Sequence, residues 1–342
     1  MMKVGMYYNN TDVRVQEMPV PETGPDDILI KIMASGICGS DILEWYRIKR
    51  APLVLGHEIT GEIVKTGSSI KGFKPADRVF TTHHVPCNIC QTCLKGHETA
   101  CEVFQTQNNH FPGGFSQYLR ISGRSTKTGT FHLPRELSYE QGTFIEPLGT
   151  AVRCMRTADI KPGDSVLVLG SGIGGILNIK LARALGAGNV MATDITDFRL
   201  EAAEKAGASS VFNGEDDIAS LVKKSNNGRL ADRVIICTGA VSALKQGFSS
   251  IEKGGTAVLF AVPKPGQTLP VDFNPYWRND ISIKTSYGAA PVDNIQAMEL
   301  LRSGNVAVDD MITHRIPLSD IQKAFELASS GKDCLKIIIN PW

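Results

Sequence analysis

Apolar and polar positions follow two different periods along this chain. Up to about residue 150, short β-rich runs such as residues 28–33 (ILIKIM) and 62–66 (EIVKT) are split by Gly and Pro, which predicts a β-barrel-like region with long loops. From Ser165 the texture changes to an apolar run SVLVL, a Gly-rich turn, a helical stretch over 174–186, a strand NVMATD and a helix FRLEAAEKAG. Further strands are predicted at 233–237, 256–261 and 281–286, with helical stretches between them. Alternation at this length specifies βαβ units and a parallel sheet. After about residue 285 come a helix DNIQAMELLRSG, the segment THRIPLSD, a helix IQKAFELASSG and a terminal strand LKIIIN. By pattern alone this last piece either extends the parallel sheet or returns to the first region.

At 342 residues the chain exceeds what one hydrophobic core usually serves, so two domains are expected. Its 36 basic and 35 acidic residues leave a formal net charge of +1 with no long block of one sign. That balance points away from nucleic acid and anionic lipid and toward a small-molecule partner. The beginning, MMKVGMYYNNTDVRV, lacks an apolar export core, and no window is apolar enough to span a bilayer, so a cytoplasmic location is expected. In a reducing compartment eight cysteines read as metal ligands or core residues rather than disulfides. Cys154, Cys237 and Cys334 stand apart in apolar surroundings and are read as core.

The other cysteines carry chemistry. Cys87, Cys90, Cys93 and Cys101 follow C-x2-C-x2-C-x7-C within a lobe of about residues 84–104, spacing that closes a four-thiolate shell around a structural zinc. His97 lies inside this lobe but the shell is already full, so a surface role is expected. A second set, Cys38, His57, Glu58 and Glu146, mixes one thiolate, one imidazole and carboxylates, a combination that leaves a coordination position open for chemistry. Each of these residues also has an ordinary reading as core, surface pair or turn, and only the combination persuades.

Gly170, Gly172 and Gly175 satisfy G-x-G-x-x-G directly after a strand and at the mouth of a helix, with Ile173 and Gly174 inside the turn. There the backbone can approach a pyrophosphate and the helix N-terminus supplies free N–H groups. Asp194 closes the next strand 19 residues after Gly175, where a carboxylate binds ribose hydroxyls and repels a 2′-phosphate, so NAD is expected over NADP. Capping of the adjoining turn is the competing use of Asp194. Arg199 is suited to stacking on adenine or to a phosphate.

Taken in order, GICGSD, LGHEITGEIV, the four-cysteine lobe, GGFSQYL, FIEPLG, VLVLGSGIGG and VIICTGA resemble the zinc-containing medium-chain alcohol dehydrogenases over nearly the whole chain. The resemblance implies an α/β protein with a GroES-like β-barrel catalytic domain, residues 1–150 plus 285–342, around an inserted Rossmann domain at 151–284. It implies that Cys38 and His57 bind a catalytic zinc with Glu58 and Glu146 as ligands or close alternates, and that Thr238 joins the cofactor site. Glutamate at the FIEPLG position, GICGSD and the ending ITHRIPLSDIQKAFELASSGK look like the sorbitol, polyol and threonine dehydrogenase branch. Members of that branch are often tetramers, so a homo-oligomer, tetramer or dimer, is expected.

The implied reaction is oxidation of a secondary alcohol in a polyol-like substrate to a ketone, with hydride passed to NAD. Threonine or a sugar or polyol phosphate is the alternative substrate. Ser40 is placed to receive the hydroxyl proton, with Glu58 at the same centre; the competing role of Ser40 is as N-cap for ILEWY, where Asp41 and Glu44 form a capping-box pattern. The sequence departs from many relatives at Leu43, where they carry a proton-passing histidine; His83 and His84 offer substitutes, though a solvated loop is the simpler reading for both. The stretch between Cys38 and His57 is short and carries Trp45, Tyr46, Arg47, Lys49 and Arg50, read either as a solvated face or as a clasp for a substrate anion. Two readings outside catalysis, an NAD-binding regulator and a zinc ribbon on nucleic acid, lack support: a regulator needs no open metal shell, and the lobe is neither basic nor aromatic.

Overall fold

Burial of every residue in the run SVLVL is what a strand flanked on both sides requires, and Ser165–Leu169 has parallel neighbours at Asn189–Asp194 and Ala231–Ile236. A computed structural model describes residues 1–342 and divides into two units, Met1–Gly149 with Ala289–Trp342, and Thr150–Gly288. In the second unit six parallel strands stand in the order third, second, first, fourth, fifth, sixth: Ser210–Asn213, Asn189–Asp194, Ser165–Leu169, Ala231–Ile236, Ile251–Leu259 and Ser282–Thr285. Helices Ile173–Ala184, Asp197–Lys205, Ile218–Ser225 and Val241–Ser249 make the first four connections, and the fifth contains the short helix Asn274–Arg278. The order reverses between Ser165–Leu169 and Ala231–Ile236, the place where open α/β sheets take their ligands.

In the first unit an eight-stranded sheet is centred on Ile28–Gly36. This strand pairs antiparallel with Glu58–Thr66, with Tyr118–Ile121 and with the terminal strand Lys336–Asn340. The last run, LKIIIN, therefore joins the first unit and not the parallel sheet. Ile28, Ile30, Ile32, Ile59, Ile63, Val79, Leu119 and Ile121 fill the core between these strands. The helix expected over ILEWY is shorter than its pattern, covering Glu44–Arg47 with Leu43 as N-cap and no side-chain cap. Neither Ser40 nor Asp41 caps it, because both side chains are engaged elsewhere. No helix is long and apolar enough to cross a membrane.

Candidate metal centres and dinucleotide site

Strand register assembles the open metal set. Gly36 pairs with Glu58 at the end of two antiparallel strands, so Cys38 and His57 leave the sheet at the same edge. Cys38, His57 and Glu58 each offer a ligand atom, and these atoms lie within 4.8 Å of one another. Glu146 stands in the first turn of helix Ile145–Ala158, outside that trio, yet close enough for His57 and Asp41 to act on it; burial pushes its carboxyl above the usual range.

Asp41, fully buried, organises the trio. Its Oδ2 accepts from the Cys38 backbone N–H at 3.1 Å, and its Oδ1 lies 3.5 Å from His57 Nδ1. An imidazole whose Nδ1 faces a carboxylate presents Nε2 to a metal. Burial opposes the charge on Asp41, but His57 and Arg47 hold its carboxyl below the ordinary value. In the same way burial opposes a Cys38 thiolate while His57 outweighs it and lowers the thiol, and Asp41 with Cys38 raises His57 well above its usual value against its own burial. The donor set is thus electrostatically prepared for a cation.

Arg47 reaches back from the short helix to this centre. Its Nη2 donates to Ser40 Oγ at 2.8 Å and its Nε to the Ser40 carbonyl at 2.9 Å, with Nη2 also 3.4 Å from Asp41 Oδ1. Of the two readings of Trp45, Tyr46, Arg47, Lys49 and Arg50, a solvated face or an anion clasp, neither fits Arg47, whose guanidinium is committed to Ser40 and Asp41. Lys49 and Arg50 are exposed. His83 and His84 differ from the solvated-loop reading too: both are half-buried, with the His83 ring 5.0 Å from that of His57 and 3.7 Å from that of His84. Burial drives His83 well below the usual histidine range and His84 down to about 4, so both are neutral near pH 7.

Two contributors escaped the sequence reading. Lys336, in an otherwise apolar strand, is fully buried with its Nζ paired to Glu58 Oε2 and 5.2 Å above the Phe144 ring. Burial lowers Lys336 to about 7, against Cys38 and Asp41. Gly36 makes room for the pair, since a Cβ there would run into Glu58 Oε2 and into Lys336 Nζ and Cε. The only sequence signal was a lone lysine inside LKIIIN. Glu58 Oε1 is buried with no hydrogen-bond partner. An orphaned carboxylate oxygen beside a thiol and an imidazole fits a zinc ligand set.

The cysteine lobe fits zinc in its dimensions. Cys90 Sγ lies 3.5 Å and Cys87 Sγ 3.9 Å from Cys93 Sγ, and all four sulfurs lie within 4.8 Å. Tetrahedral Zn–S bonds of about 2.3 Å require sulfurs about 3.8 Å apart. Backbone N–H groups of Cys90 and Cys93 point at the sulfurs of Cys87 and Cys90, at 3.2 and 3.5 Å, and support thiolate charge. Cys101, whose sulfur accepts from the backbone of Cys87 and Phe104, drops to about 6 despite burial, whereas burial and Cys90 push Cys93 up to about 12. His97 is exposed.

In the second unit the glycine turn has the form a pyrophosphate needs. Gly170 is left-handed at φ +92°, and a Cβ on Gly175 would strike the Gly170 carbonyl. Gly172, the N-cap of Ile173–Ala184, faces open space with nothing within 4 Å of a Cβ there. A Cβ on Gly170 would come 3.2 Å from Thr238 Cβ, which sets Thr238 beside the turn. Asp194 does cap the turn after its strand, its Oδ1 accepting from the backbone N–H groups of Ile195 and Thr196, while Oδ2 accepts from Ser171 N at 2.8 Å and lies 3.9 Å from Arg199. The carboxylate is thus pinned against the glycine turn with Arg199 alongside.

An open metal shell on a barrel-like sheet and a glycine turn at the switch point of a doubly wound sheet define a metal- and dinucleotide-dependent oxidoreductase. Residues 24–135 match the family model "Alcohol dehydrogenase GroES-like domain" and residues 172–303 match "Zinc-binding dehydrogenase". Sorbitol dehydrogenase of Bacillus subtilis is 32% identical over 99% of this chain and 97% of its own length. L-threonine 3-dehydrogenase of Caldanaerobacter subterraneus is 30% identical, covering 100% of this chain and 99% of that one. A zinc-binding dehydrogenase from Sinorhizobium meliloti, solved bound to NADP, superposes with a TM-score of 0.89 at 27% identity, covering 100% of this chain and 99% of its own. The chain belongs to the zinc-binding alcohol dehydrogenase family.

Proposed function

We propose that this protein is a zinc-dependent, NAD-linked dehydrogenase that interconverts a secondary alcohol of a polar, polyol-like substrate and the corresponding ketone. The observation that carries the reading is the convergence of Cys38, His57 and Glu58 within 4.8 Å, with Glu58 Oε1 buried and unpartnered. These three residues would hold the catalytic zinc with Glu146 as a nearby alternate, and Cys87, Cys90, Cys93 and Cys101 a structural one. Bound in that open shell, zinc supplies Lewis acidity that makes a substrate hydroxyl acidic near neutral pH. Ser40 Oγ, held by Arg47 at 2.8 Å, keeps its own proton and one lone pair for partners, and so is fitted to take the hydroxyl proton and pass one on. Asp41 holds His57 in the ligating tautomer.

The dinucleotide would lie along Gly170, Gly172, Ile173, Gly174 and Gly175, with Thr238 beside the turn and the ribose at Asp194 and Arg199. Its nicotinamide supplies the hydride acceptor. The fixed negative charge of Asp194 opposes a 2′-phosphate, which supports NAD over NADP. Exposed apolar side chains on the second unit, among them Val262, Phe273 and Trp277, support self-association as a homo-oligomer. The setting is cytoplasmic, in keeping with four thiols held reduced for zinc.

A screen of NAD and NADP reduction over polyols, sugar phosphates, threonine and simple alcohols, with zinc counted on the same sample, tests the reading. It predicts two zinc ions per chain and turnover with polyols that favours NAD. Activity undiminished by removal of zinc, or a clear preference for NADP, would overturn the respective part.

A further inference from the structure

Glu58 and Lys336 form a buried ion pair directly behind the open metal set, and its geometry divides the carboxylate. Both side chains are fully buried. Oε2 is held by Lys336 Nζ, which also lies over the Phe144 ring at 5.2 Å, while Oε1 has no partner. The division is built by three strands. Gly36 pairs with Glu58 on one side and with Ile338 on the other, two residues from Lys336. Any side chain at 36 would occupy the space where the two charges meet.

A carboxylate with both oxygens free can grip zinc through both. Such a grip would fill the position that a dehydrogenase leaves for its substrate. We propose that Lys336 is a positioning residue that retains Glu58 Oε2 and thereby limits Glu58 to one-oxygen coordination, keeping a place on the catalytic zinc open for the substrate hydroxyl. Gly36 is the spacer that lets Lys336 arrive. The inference rests on the zinc-dehydrogenase reading and adds to it the reason for a charged residue inside an apolar strand.

The test replaces the catalytic zinc by cobalt(II) and reads the visible d–d bands, whose intensity falls as coordination rises from four to five. Metal counting comes first, with Cys101→Ser beside the wild type: a Cys101→Ser protein that folds and holds no metal would sink the catalytic-zinc reading, independently of what Lys336 does. With two metals bound, the wild-type protein is expected to show the intense four-coordinate spectrum. Lys336→Met and Lys336→Gln are each expected to lose roughly twofold in intensity as Glu58 turns its freed oxygen to the metal. Lys336→Arg should retain the wild-type bands. In a Glu58→Gln background the Lys336→Met change should leave the spectrum unaltered, since the effect runs through Glu58. A weak, five-coordinate spectrum in the wild type overturns the proposal without any variant having to fold. So do bands that stay intense in both neutral variants, or a loss that persists in the Glu58→Gln background.

Discussion

Arg47 is where the structure makes the sharpest demand on turnover. Its guanidinium gives Ser40 two hydrogen bonds, 2.8 Å to Oγ and 2.9 Å to the carbonyl, and lies 3.4 Å from Asp41, with only 15% of the side chain exposed. Arg47→Met keeps the length and removes the donors. A hydrogen bond from a charged donor contributes roughly 1.5–3 kcal/mol. If only the bond to Ser40 Oγ acts on the reaction, about 2 kcal/mol of orientation is lost, or roughly thirtyfold in kcat/KM. Arg47→Lys can remake one of the two bonds to Ser40 but not the fork, so its loss should be intermediate. The assay is steady-state oxidation of the best polyol from the substrate screen, with KM for NAD measured alongside and expected to stay near the wild-type value. A fall confined to phosphate- or carboxylate-bearing substrates, expressed as a raised KM, would instead restore Arg47 to an anion clasp. Should Arg47→Met remain within about twofold of the wild type while Ser40→Ala is crippled, the idea that Arg47 works through Ser40 is refuted.

Other parts of the molecule make their own demands. Cys101→Ser should reduce zinc from two ions to one per chain and lower the melting temperature, because the lobe has little apolar core besides Phe104 and Val103; retention of both ions would refute the four-thiolate site. His110, buried with its Nε2 3.0 Å from Thr81 Oγ1, is held by burial at about 3, below its unfolded value of about 6.5. Between those values the unfolded chain binds the extra proton, so stability is intact above about pH 6.5 and is lost as pH falls toward 3, by about 2 kcal/mol at pH 5. Denaturant unfolding at pH 7 and pH 5 measures this, and His110→Asn should flatten the slope by one proton. An unaltered slope would assign the acid sensitivity to other groups, such as His84, which burial lowers to about 4.

Local order and spacing were enough to reveal a large share of this molecule. The parallel sheet was legible because SVLVL, NVMATD and their successors alternate with helical stretches, and the glycine turn because its three glycines fall between a strand and a helix. Four cysteines spaced two, two and seven apart must fold back on themselves, and their sulfurs do lie within 4.8 Å. The open set was harder: Cys38, His57 and Glu58 could be singled out, but only the Gly36–Glu58 pairing explains why they meet.

The surroundings of that set came from tertiary structure alone, for the physical reason that pattern reports exposure and not partnership. Lys336 is 278 residues from Glu58 and is brought to it by strand pairing. Arg47 looked like part of a solvated basic run until the turn after Leu43 carried it back onto Ser40. Asp41 looked like a helix cap and became the support of His57. His83 and His84 looked like loop residues, yet His83 packs against the same imidazole and His84 against His83. Each charge is stable where it sits because an opposite charge or a donor meets it there, brought by strand pairing from a distant segment for Glu58 and Lys336 and by a local turn for Arg47, Ser40 and Asp41, and residue pattern reports neither meeting.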